Sequence, residues 1–333
     1  MYKAALIGCG GISSVHFKAI SENADIELIA VCDINNERLK TASEKFGCHG
    51  YNDYKEMIKN EHPDVVHICT PHYLHVPMAV YCLEKNINVV LEKPLSTNVE
   101  DGKKLIEAAN KSSGKIAICF QNRYNATSRK LKEILSSDEF KSAKIYGAKG
   151  YVTWARNADY YLKSGWRGKW ATEGGGVLIN QSIHTLDLIQ WLLGDIDNIK
   201  GHADTHFFKD VIEVEDTAEM LLTFKNGARC IFYATVGYVD NSPITVDILT
   251  DKADFHLDND LSVKYKDGRT EVYNAENLGV GDKDYWGTSH SLLINDFYSS
   301  LKTEGSFWID PKEAFKTINI IMNIYEQSKI KNL

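Results

Sequence analysis

The run Leu6-Ile7-Gly8-Cys9-Gly10-Gly11-Ile12-Ser13 decides the fold of the N-terminal part of this chain. It links an apolar segment, residues 3–7, to a helical pattern that opens at Ser13. Glycines at a strand-to-helix junction allow a tight turn and let the backbone approach a pyrophosphate, which the helix N-terminus then binds. The run therefore predicts a dinucleotide-binding turn. Its contacts are expected from Gly8, Gly10, Gly11 and Ile12, and Ser13 is a small substitute for the third glycine of the usual pattern.

A carboxylate follows the second apolar segment, residues 26–32. Asp33 stands about 20 residues after the glycines, where a carboxylate accepts hydrogen bonds from the ribose hydroxyls of NAD and repels the 2′-phosphate of NADP. We therefore expect NAD as cofactor and NADP as the less favoured one, although Arg38, one turn later, leaves the use of both open. The alternative for Asp33 is an ordinary strand-end carboxylate that caps the next helix.

Short apolar segments alternate with amphipathic ones from residue 3 to residue 121, which is typical of βαβ units around a parallel sheet. Buried strands are predicted at residues 3–7, 26–32, 65–69, 89–91 and 116–120. Helices are predicted at 37–46, capped by Asn35 and ended by Gly47, and at 76–83 and 99–109. Residues 1–121 are thus expected to form an α/β Rossmann domain with a doubly wound parallel sheet.

From residue 122 onward, polar residues alternate with apolar ones in several segments. Strands with one exposed face are predicted at 144–153, 218–224, 229–236 and 245–249. Helices are predicted at 176–193 and at 311–328, the latter after a proline in the first turn. Residues 122–333 are therefore expected to form a second, α+β domain.

The composition is that of an ordinary globular protein, with 333 residues, 44% hydrophobic and 25% charged, and a net charge of -7. Without a dense basic stripe, nucleic-acid binding is not expected, and no apolar run reaches the roughly 18 residues of a membrane span.

The N-terminus has no signal-peptide pattern, so we expect a cytoplasmic protein. The seven cysteines form no C-x-x-C pair and are expected to be free, and the scattered histidines, including His202 and His206, predict no metal site.

A second group of chemically active residues follows the predicted strands 65–69 and 89–91. Thr70-Pro71-His72-Tyr73-Leu74-His75 and Glu92-Lys93-Pro94 are expected at the carboxyl edge of the sheet, where open α/β sheets bind ligands. A desolvated Lys93 could hold a substrate oxygen and take part in proton transfer. The spacing alone leaves a surface lysine as the alternative. Pro94 is compatible with a cis turn.

A polar stripe crosses the otherwise apolar helix predicted at 176–193. Asn180, His184 and Asp187 are related by i+4 and i+3 and would share one helix face. Such a stripe is either a ligand-facing surface or a satisfied buried network, and the motifs elsewhere in the chain favour the first. Histidine titrates in the range that a general base needs near neutral pH.

Four separated patterns, in this order, resemble the glucose-fructose oxidoreductase, inositol dehydrogenase and rhizopine-catabolism (Gfo/Idh/MocA) family over nearly the whole chain. They are the glycine turn, the T-P-x-x-x-H segment, E-K-P, and GGGVLINQSIHTLD at residues 174–187. The resemblance implies a Rossmann domain followed by an α+β domain with a large, open, mostly antiparallel sheet. That sheet is implied to face the nicotinamide and often to make the subunit interface, which would support a homodimer or homotetramer.

The resemblance also implies a function, namely hydride transfer between NAD and a secondary alcohol of a sugar, polyol or sugar derivative. Lys93 and His184 are implied as the catalytic pair, with His184 accepting the hydroxyl proton and Lys93 holding the alkoxide-like oxygen. Asn180 departs from the inositol dehydrogenase branch, which carries an aspartate there. An amide cannot stabilise imidazolium by charge, so His184 would be a weaker base unless Asp187 takes over that contact. The N-Q-x-I-H form shifts the expected substrate toward glycosides and sugar derivatives, including amino-sugar and sugar-nucleotide compounds.

Further residues are expected around the two ligands, since backbone turns suit the cofactor and since aromatic and arginine side chains suit sugars. The cofactor set comprises Gly8, Gly10, Gly11, Ile12, Asp33, Thr70, Pro71, His75, Glu92, Lys93 and Gln121. The substrate set comprises Arg123, Tyr124, Trp166, Arg167, Asn180, His184 and Asp187. Packing of an aromatic-rich loop on the sheet is the alternative for Trp166 and for Tyr124.

Two other functions remain open at this point. A redox-assisted glycoside hydrolase would oxidise a sugar carbon transiently, eliminate the aglycone and reduce the product again, so it would retain NAD and form no net NADH. A ligand sensor would keep the cofactor fold without the chemistry. Lys93 and His184 argue against a sensor, whereas Asn180 keeps it open.

Overall fold

The computed structural model describes residues 1–275 and 289–330. They form two compact units, the first made of residues 1–120 and 289–315 and the second of residues 121–275 and 316–330. This division differs from the predicted one, in which all of 122–333 belonged to the second domain. Residues 289–315 return to the first unit because His290 hydrogen-bonds to Glu92 and because the carbonyl of Ile309 accepts from the N–H of Ile118.

The first unit contains a six-stranded parallel sheet with the strand order β3-β2-β1-β4-β5-β6. The strands are β1 Tyr2–Ile7, β2 Ile26–Cys32, β3 His49–Tyr51, β4 Val65–Ile68, β5 Asn88–Leu91 and β6 Ile116–Ile118. The helices are α1 Ser13–Ser21, α2 Asn36–Phe46, α3 Tyr54–Glu61, α4 His75–Leu83, α5 Val99–Lys111 and, from the returning segment, α9 His290–Ser300. The predicted Rossmann sheet is confirmed. The sequence pattern missed β3, which has only three residues.

Local signals explain where these elements begin and end. The side chain of Asn35 accepts the N–H of Arg38 and so caps α2, and Gly47 ends the helix in the left-handed conformation, with φ 63°. All four residues of β4 are buried, as expected for a strand that is covered on both faces.

The second unit contains an eight-stranded sheet with the order β14-β13-β12-β11-β7-β10-β9-β8. Its strands are β7 Ile145–Thr153, β8 Ile196–Asp204, β9 Thr217–Phe224, β10 Arg229–Thr235, β11 Thr245–Thr250, β12 Ala253–Leu257, β13 Leu261–Tyr265 and β14 Thr270–Tyr273. The helices of this part are α6 Ala126–Ser136, α7 Ala158–Leu162 and α8 Ile183–Leu193, and α10 Pro311–Ser328 ends in this unit. The pairs are antiparallel except β7 with β10, so the predicted mostly antiparallel sheet is confirmed.

One face of this sheet forms the core of the second unit. In β10, Cys230, Phe232 and Ala234 are buried, whereas Arg229 before them and Ile231 between them are exposed. Helix α8 packs closely on the buried face, since a Cβ on Gly150 of β7 would lie 2.5 Å from the Cδ1 of Ile189.

Within residues 1–275 and 289–330, no helix combines the length and the apolar character needed to cross a membrane.

Candidate active site

The glycine turn after β1 has the shape that a dinucleotide needs. Gly8 adopts φ 93°, and a Cβ there would lie 2.7 Å from the carbonyl oxygen of Cys69, so only glycine fits. The next two glycines border open space, because a Cβ on Gly10 would meet only the Nη1 of Arg38, at 4.0 Å, and one on Gly11 would meet nothing within 4 Å. This room is where a pyrophosphate would approach the backbone at the start of α1. The residues present therefore fit the cofactor that the sequence predicts.

The carboxylate of Asp33 is hydrogen-bonded to the backbone of this turn. Its Oδ2 accepts the N–H of Cys9 at 2.8 Å and its Oδ1 accepts the N–H of Asn35, also at 2.8 Å. Since Asn35 caps α2, helix capping does not explain Asp33. Each carboxylate oxygen has a second lone pair, so Asp33 can still accept from ribose hydroxyls in a fixed orientation.

A buried histidine joins the two loops that follow β4 and β5. The Nδ1 of His75 lies 2.7 Å from the carbonyl oxygen of Pro94, and its Nε2 lies 2.9 Å from that of Thr70. Burial lowers the pKa of His75, and a neutral imidazole donates to one of these carbonyls at a time. The side chain of His75 thus holds together the T-P and E-K-P turns. The Lys93–Pro94 peptide bond is cis, as the sequence allowed.

Lys93 stands out within its stretch of chain. Every residue from 89 to 96 is buried except Lys93, which is partly exposed. A partly exposed lysine at the end of a buried strand is the arrangement expected of a ligand-facing lysine at the carboxyl edge of a parallel sheet.

The carboxylate of Glu92 is turned into the interior of the first unit. Its Oε1 lies 2.9 Å from the Nε2 of His16 and 3.1 Å from the Nε2 of His290. The Nδ1 of His16 lies 2.9 Å from the Nδ1 of His67, whose Nε2 lies 3.0 Å from the hydroxyl of Tyr298. Although burial alone raises the pKa of Glu92, the hydrogen bonds from His16 and His290 hold it well below its ordinary value.

An ionised Glu92 sets the direction of this whole chain of hydrogen bonds. His16 must donate from Nε2 to the carboxylate. As a neutral ring, His16 then accepts at Nδ1 a hydrogen bond from the Nδ1–H of His67, and His67 accepts at Nε2 a hydrogen bond from the hydroxyl of Tyr298.

The ligand atoms of His16, Glu92 and His290 lie within 4.8 Å of one another, which is also the grouping that a metal ion would need. Sequence pattern could not show this cluster because its members are far apart in the chain.

In the second unit, Asn180 and His184 lie on an otherwise buried segment. Every residue from 173 to 190 is buried except Asn180 and His184, which are partly exposed. The predicted continuous helix at 176–193 is interrupted, since Val177–Gln181 forms a π-helical turn and α8 starts only at Ile183. The start of this turn is held by Glu215, whose carboxylate accepts the N–H groups of Gly176 and Leu178. Turns of this kind are frequent at functional sites.

Glu173 and Gln121 contact the side chains of Asn180 and His184, respectively. The Nδ2 of Asn180 donates to the Oε1 of Glu173 at 2.6 Å, and the Nε2 of Gln121 lies 3.4 Å from the Nε2 of His184. Burial raises the pKa of Glu173 to about 7. Sequence reasoning missed Glu173, although an acidic residue directly before three glycines in an apolar stretch is a signal that could have identified it.

Asp187, the third member of the predicted stripe, is buried in an ion pair. The guanidinium of Arg123 donates to its two carboxylate oxygens at 2.7 and 2.6 Å, and Thr317 also lies 3.3 Å from Oδ1. The side chains of Arg123 and Asp187 are 0% and 1% exposed, so these two predicted substrate residues meet each other inside the unit. Their contact with substrate stays a prediction.

The remaining predicted substrate residues fall into two places. Tyr124 is buried in the short 3-10 turn that also carries Gln121. Trp166 and Arg167 lie in the loop after α7, where the guanidinium carbon of Arg167 is 4.6 Å from the Trp166 ring centroid. The same arginine also contacts Tyr160, whose hydroxyl lies 3.4 Å from the Nδ2 of Asn180.

A Rossmann unit with a glycine turn and a second unit built on a large open sheet form a two-unit, nucleotide-binding type of fold, which does not by itself determine the reaction. Residues 2–120 match the NAD-binding Rossmann fold of the Gfo/Idh/MocA oxidoreductase family, and residues 128–256 match the C-terminal domain of that family. The chain belongs to this family.

Three relatives illustrate the similarity. The WlbA dehydrogenase of Chromobacterium violaceum, solved with NADH and UDP-GlcNAcA, is 29% identical, with a TM-score of 0.84 over 98% of this chain and 94% of that one. The myo-inositol 2-dehydrogenase of Thermotoga maritima is 25% identical over 72% of this chain and 68% of its own length. The D-glucoside 3-dehydrogenase of Escherichia coli is 30% identical over 60% of this chain and 57% of its own length.

Proposed function

We propose that this protein is an NAD-dependent dehydrogenase that transfers a hydride between NAD and a secondary alcohol of a sugar, polyol or sugar derivative. The observation that carries the proposal is one of exposure. In each of two buried stretches, residues 89–96 and 173–190, the partly exposed residues are those that could hydrogen-bond a substrate hydroxyl or accept its proton: Lys93 in the first, Asn180 and His184 in the second.

The residues of this chain would divide the reaction among them. Bound NAD supplies the hydride acceptor. His184 accepts the proton of the substrate hydroxyl, and Gln121 orients its imidazole. Lys93 stabilises the negative charge that develops on the oxygen. Asn180, whose amide is held by the carboxylate of Glu173, hydrogen-bonds to the substrate near His184.

The first unit is proposed to bind the cofactor and the second to bind the substrate. The glycine turn, Thr70 and Pro71 would contact NAD through the backbone, and Asp33 would bind the ribose. The side chains of His75 and Glu92 would act through the loops they hold, since their polar atoms are engaged inside the unit. Asp33 favours NAD over NADP by charge.

The relatives support a carbohydrate substrate. The protein from Thermotoga maritima is named for inositol, that from Escherichia coli for D-glucosides, and the WlbA structure contains a UDP-linked sugar acid. All three compounds carry secondary alcohols on a ring.

The test is NADH formation with polyols, aldoses, uronates, glycosides and UDP-sugars, with NAD and NADP in parallel. We expect turnover with NAD and a fall in kcat of about 10²- to 10⁴-fold in His184→Ala, because a general base contributes in that range. Lys93→Ala should be similarly impaired. His202→Ala, which removes an exposed histidine of β8, serves as the matched control and should retain full activity.

Each alternative function has its own outcome in this assay. Turnover that survives in His184→Ala rejects the role given to that residue. Glycoside cleavage by enzyme that retains NAD and releases no net NADH would show a redox-assisted hydrolase. Tight NAD binding with no conversion of any compound would favour a sensor.

A further inference from the structure

Two arginine side chains of the second unit lie against the ring of Tyr160. The guanidinium carbon of Arg167 is 4.7 Å from the ring centroid, and that of Arg156 is 5.1 Å away. Each arginine also contacts a tryptophan, Trp166 at 4.6 Å from Arg167 and Trp154 at 5.3 Å from Arg156. Stacking of this kind holds a guanidinium plane in place and leaves its edge available to a ligand.

Within the described part of the chain, these two positive charges have no carboxylate in an ion pair with them. Arg156 donates to the carbonyl of Ala155 and to the side chain of Asn241, and Arg167 lies 3.5 Å from the hydroxyl of Ser164. The Nε atoms of both arginines are buried and have no hydrogen-bond partner among the described residues. Buried donors without acceptors are unfavourable, so the fold has more donors here than it satisfies by itself.

The nearby acid does not cancel this charge at neutral pH. Glu173 interacts electrostatically with Arg167, but burial raises the pKa of Glu173 to about 7, so its carboxyl group is only partly ionised there. The region around Tyr160 therefore keeps a positive charge, although the chain as a whole carries -7.

Tyr160 connects the arginine pair to the proposed catalytic segment. Its hydroxyl lies 3.4 Å from the Nδ2 of Asn180 and 3.3 Å from the Nε2 of Gln181. An anion bound by the arginines would thus lie beside Asn180, on the segment that carries His184.

We propose that Arg156, Tyr160 and Arg167 form a subsite that binds an anionic group of the substrate. The proposal rests on the proposed function and narrows its substrate class to sugar derivatives that carry a carboxylate or a phosphate. The guanidinium edge matches the paired oxygens of both groups. The tyrosine ring sets the spacing of the two arginines, and its hydroxyl aligns the anion-binding edge with Asn180.

Binding of defined probes to the NADH-loaded enzyme tests this proposal without requiring turnover. The probes are UDP-N-acetylglucosaminuronate, UDP-N-acetylglucosamine, D-glucuronate and D-glucose, and the method is isothermal titration calorimetry. Arg167→Gln and Arg156→Gln are each expected to weaken binding of the anionic probes by about 10- to 100-fold, the range of a lost charge-assisted hydrogen bond. Arg167→Lys, which keeps the charge but not the planar fork, should lie between wild type and Arg167→Gln.

The probes also distinguish the two sources of the anion. If the subsite binds a carboxylate, Arg156→Gln and Arg167→Gln lose affinity for D-glucuronate and UDP-N-acetylglucosaminuronate but not for UDP-N-acetylglucosamine. If the subsite binds the diphosphate, both variants lose affinity for the two UDP-sugars but not for D-glucuronate.

A matched control separates the subsite from a general effect of charge. Arg269 also stacks on a tyrosine, Tyr265, at 4.1 Å, but in the β13–β14 connection, so Arg269→Gln should bind every probe as wild type does. Equal binding of the anionic probes by wild type, Arg156→Gln and Arg167→Gln would overturn the proposal. So would an enzyme that binds no anionic probe while it oxidises neutral sugars. That second result leaves the proposed function standing, whereas arginine-dependent binding without any NADH formation would count against the proposed function alone.

Discussion

Asp33 is the residue on which the choice of cofactor depends. Its carboxylate is oriented by the N–H groups of Cys9 and Asn35, and the guanidinium of Arg38 lies close to the position of a Cβ on Gly10. We predict that Asp33→Ala raises the ratio of kcat/KM for NADP to that for NAD by about 10- to 100-fold, since removing one charge near a phosphate changes its binding by a few kcal/mol at most. Steady-state kinetics with both cofactors measure the ratio.

A second substitution checks the reason for that shift. Adding Arg38→Gln to the Asp33→Ala background removes the cation that would receive the 2′-phosphate, so the gain for NADP should disappear. A ratio that does not change in Asp33→Ala would mean that another residue decides the preference.

The buried pair of Arg123 and Asp187 has a structural role that can be separated from substrate binding. Arg123→Leu leaves the carboxylate of Asp187 buried without its cation, and we predict a loss of about 3–5 kcal/mol in the free energy of unfolding. Urea denaturation measures it. Arg129→Leu, at an exposed arginine of α6, should change stability by less than about 0.5 kcal/mol. Unchanged stability of Arg123→Leu together with a raised KM would instead support the predicted contact with substrate.

At the scale of elements, the segment that carries Asn180 and His184 depends on two buried carboxyl groups. Glu173 holds Asn180, and Glu215 holds the backbone of the π-helical turn. Burial raises the pKa of each to about 7, from an ordinary value of 4.5. The folded state therefore keeps protons that the unfolded state releases between these two values.

The sign of the pH dependence follows from this difference. The stabilising contribution of the raised pKa is fully present below 4.5 and is lost as the pH rises through about 7, so these groups make the free energy of unfolding fall over that interval. We predict that Glu173→Gln makes this slope shallower, as measured by denaturant unfolding from about pH 5 to 8. Glu219→Gln, at an exposed position of β9, should leave the slope as in wild type. A slope in Glu173→Gln equal to that of wild type would contradict the prediction.

Elements with strong periodicity were predictable from the sequence, and elements set by distant side chains were not. The buried strands of the first unit and α10 occur within a residue or two of their predicted positions, because apolar patterning and caps are local signals. The π-helical turn before α8 is held at its start by Glu215, more than thirty residues later, and no local pattern shows that contact. The same limit applies to the site: sequence motifs singled out Lys93 and His184, whereas Glu173 and Arg156 became visible only through their contacts.

At the scale of the whole molecule, the outer face of the large sheet carries apolar side chains. Ile231 of β10 is 58% exposed and is paired with Leu221 of β9 on one side and Lys149 of β7 on the other. Leu249 on β11 is exposed as well. We propose a second copy of this chain as the partner of this face, in line with the expected homodimer or homotetramer.

Ile231→Glu tests that assembly. A charge at the centre of an apolar contact is costly to bury, so we predict that the variant shifts to a smaller species in size-exclusion chromatography with light scattering. Val239→Glu, which alters a still more exposed apolar residue outside the strands, should elute like wild type. A wild-type protein that is monomeric at micromolar concentration would contradict the prediction.

The return of residues 289–315 to the first unit has a consequence for biosynthesis. Domains generally fold in the order in which the ribosome delivers them, the N-terminal one first. Here the carboxylate of Glu92 has His16 available early in translation, but His290 emerges only after almost two hundred further residues have been made. The hydrogen bond from His290 to Glu92 can therefore form only after every strand of the second unit has been synthesised, so the first unit completes this buried cluster later than its own sheet.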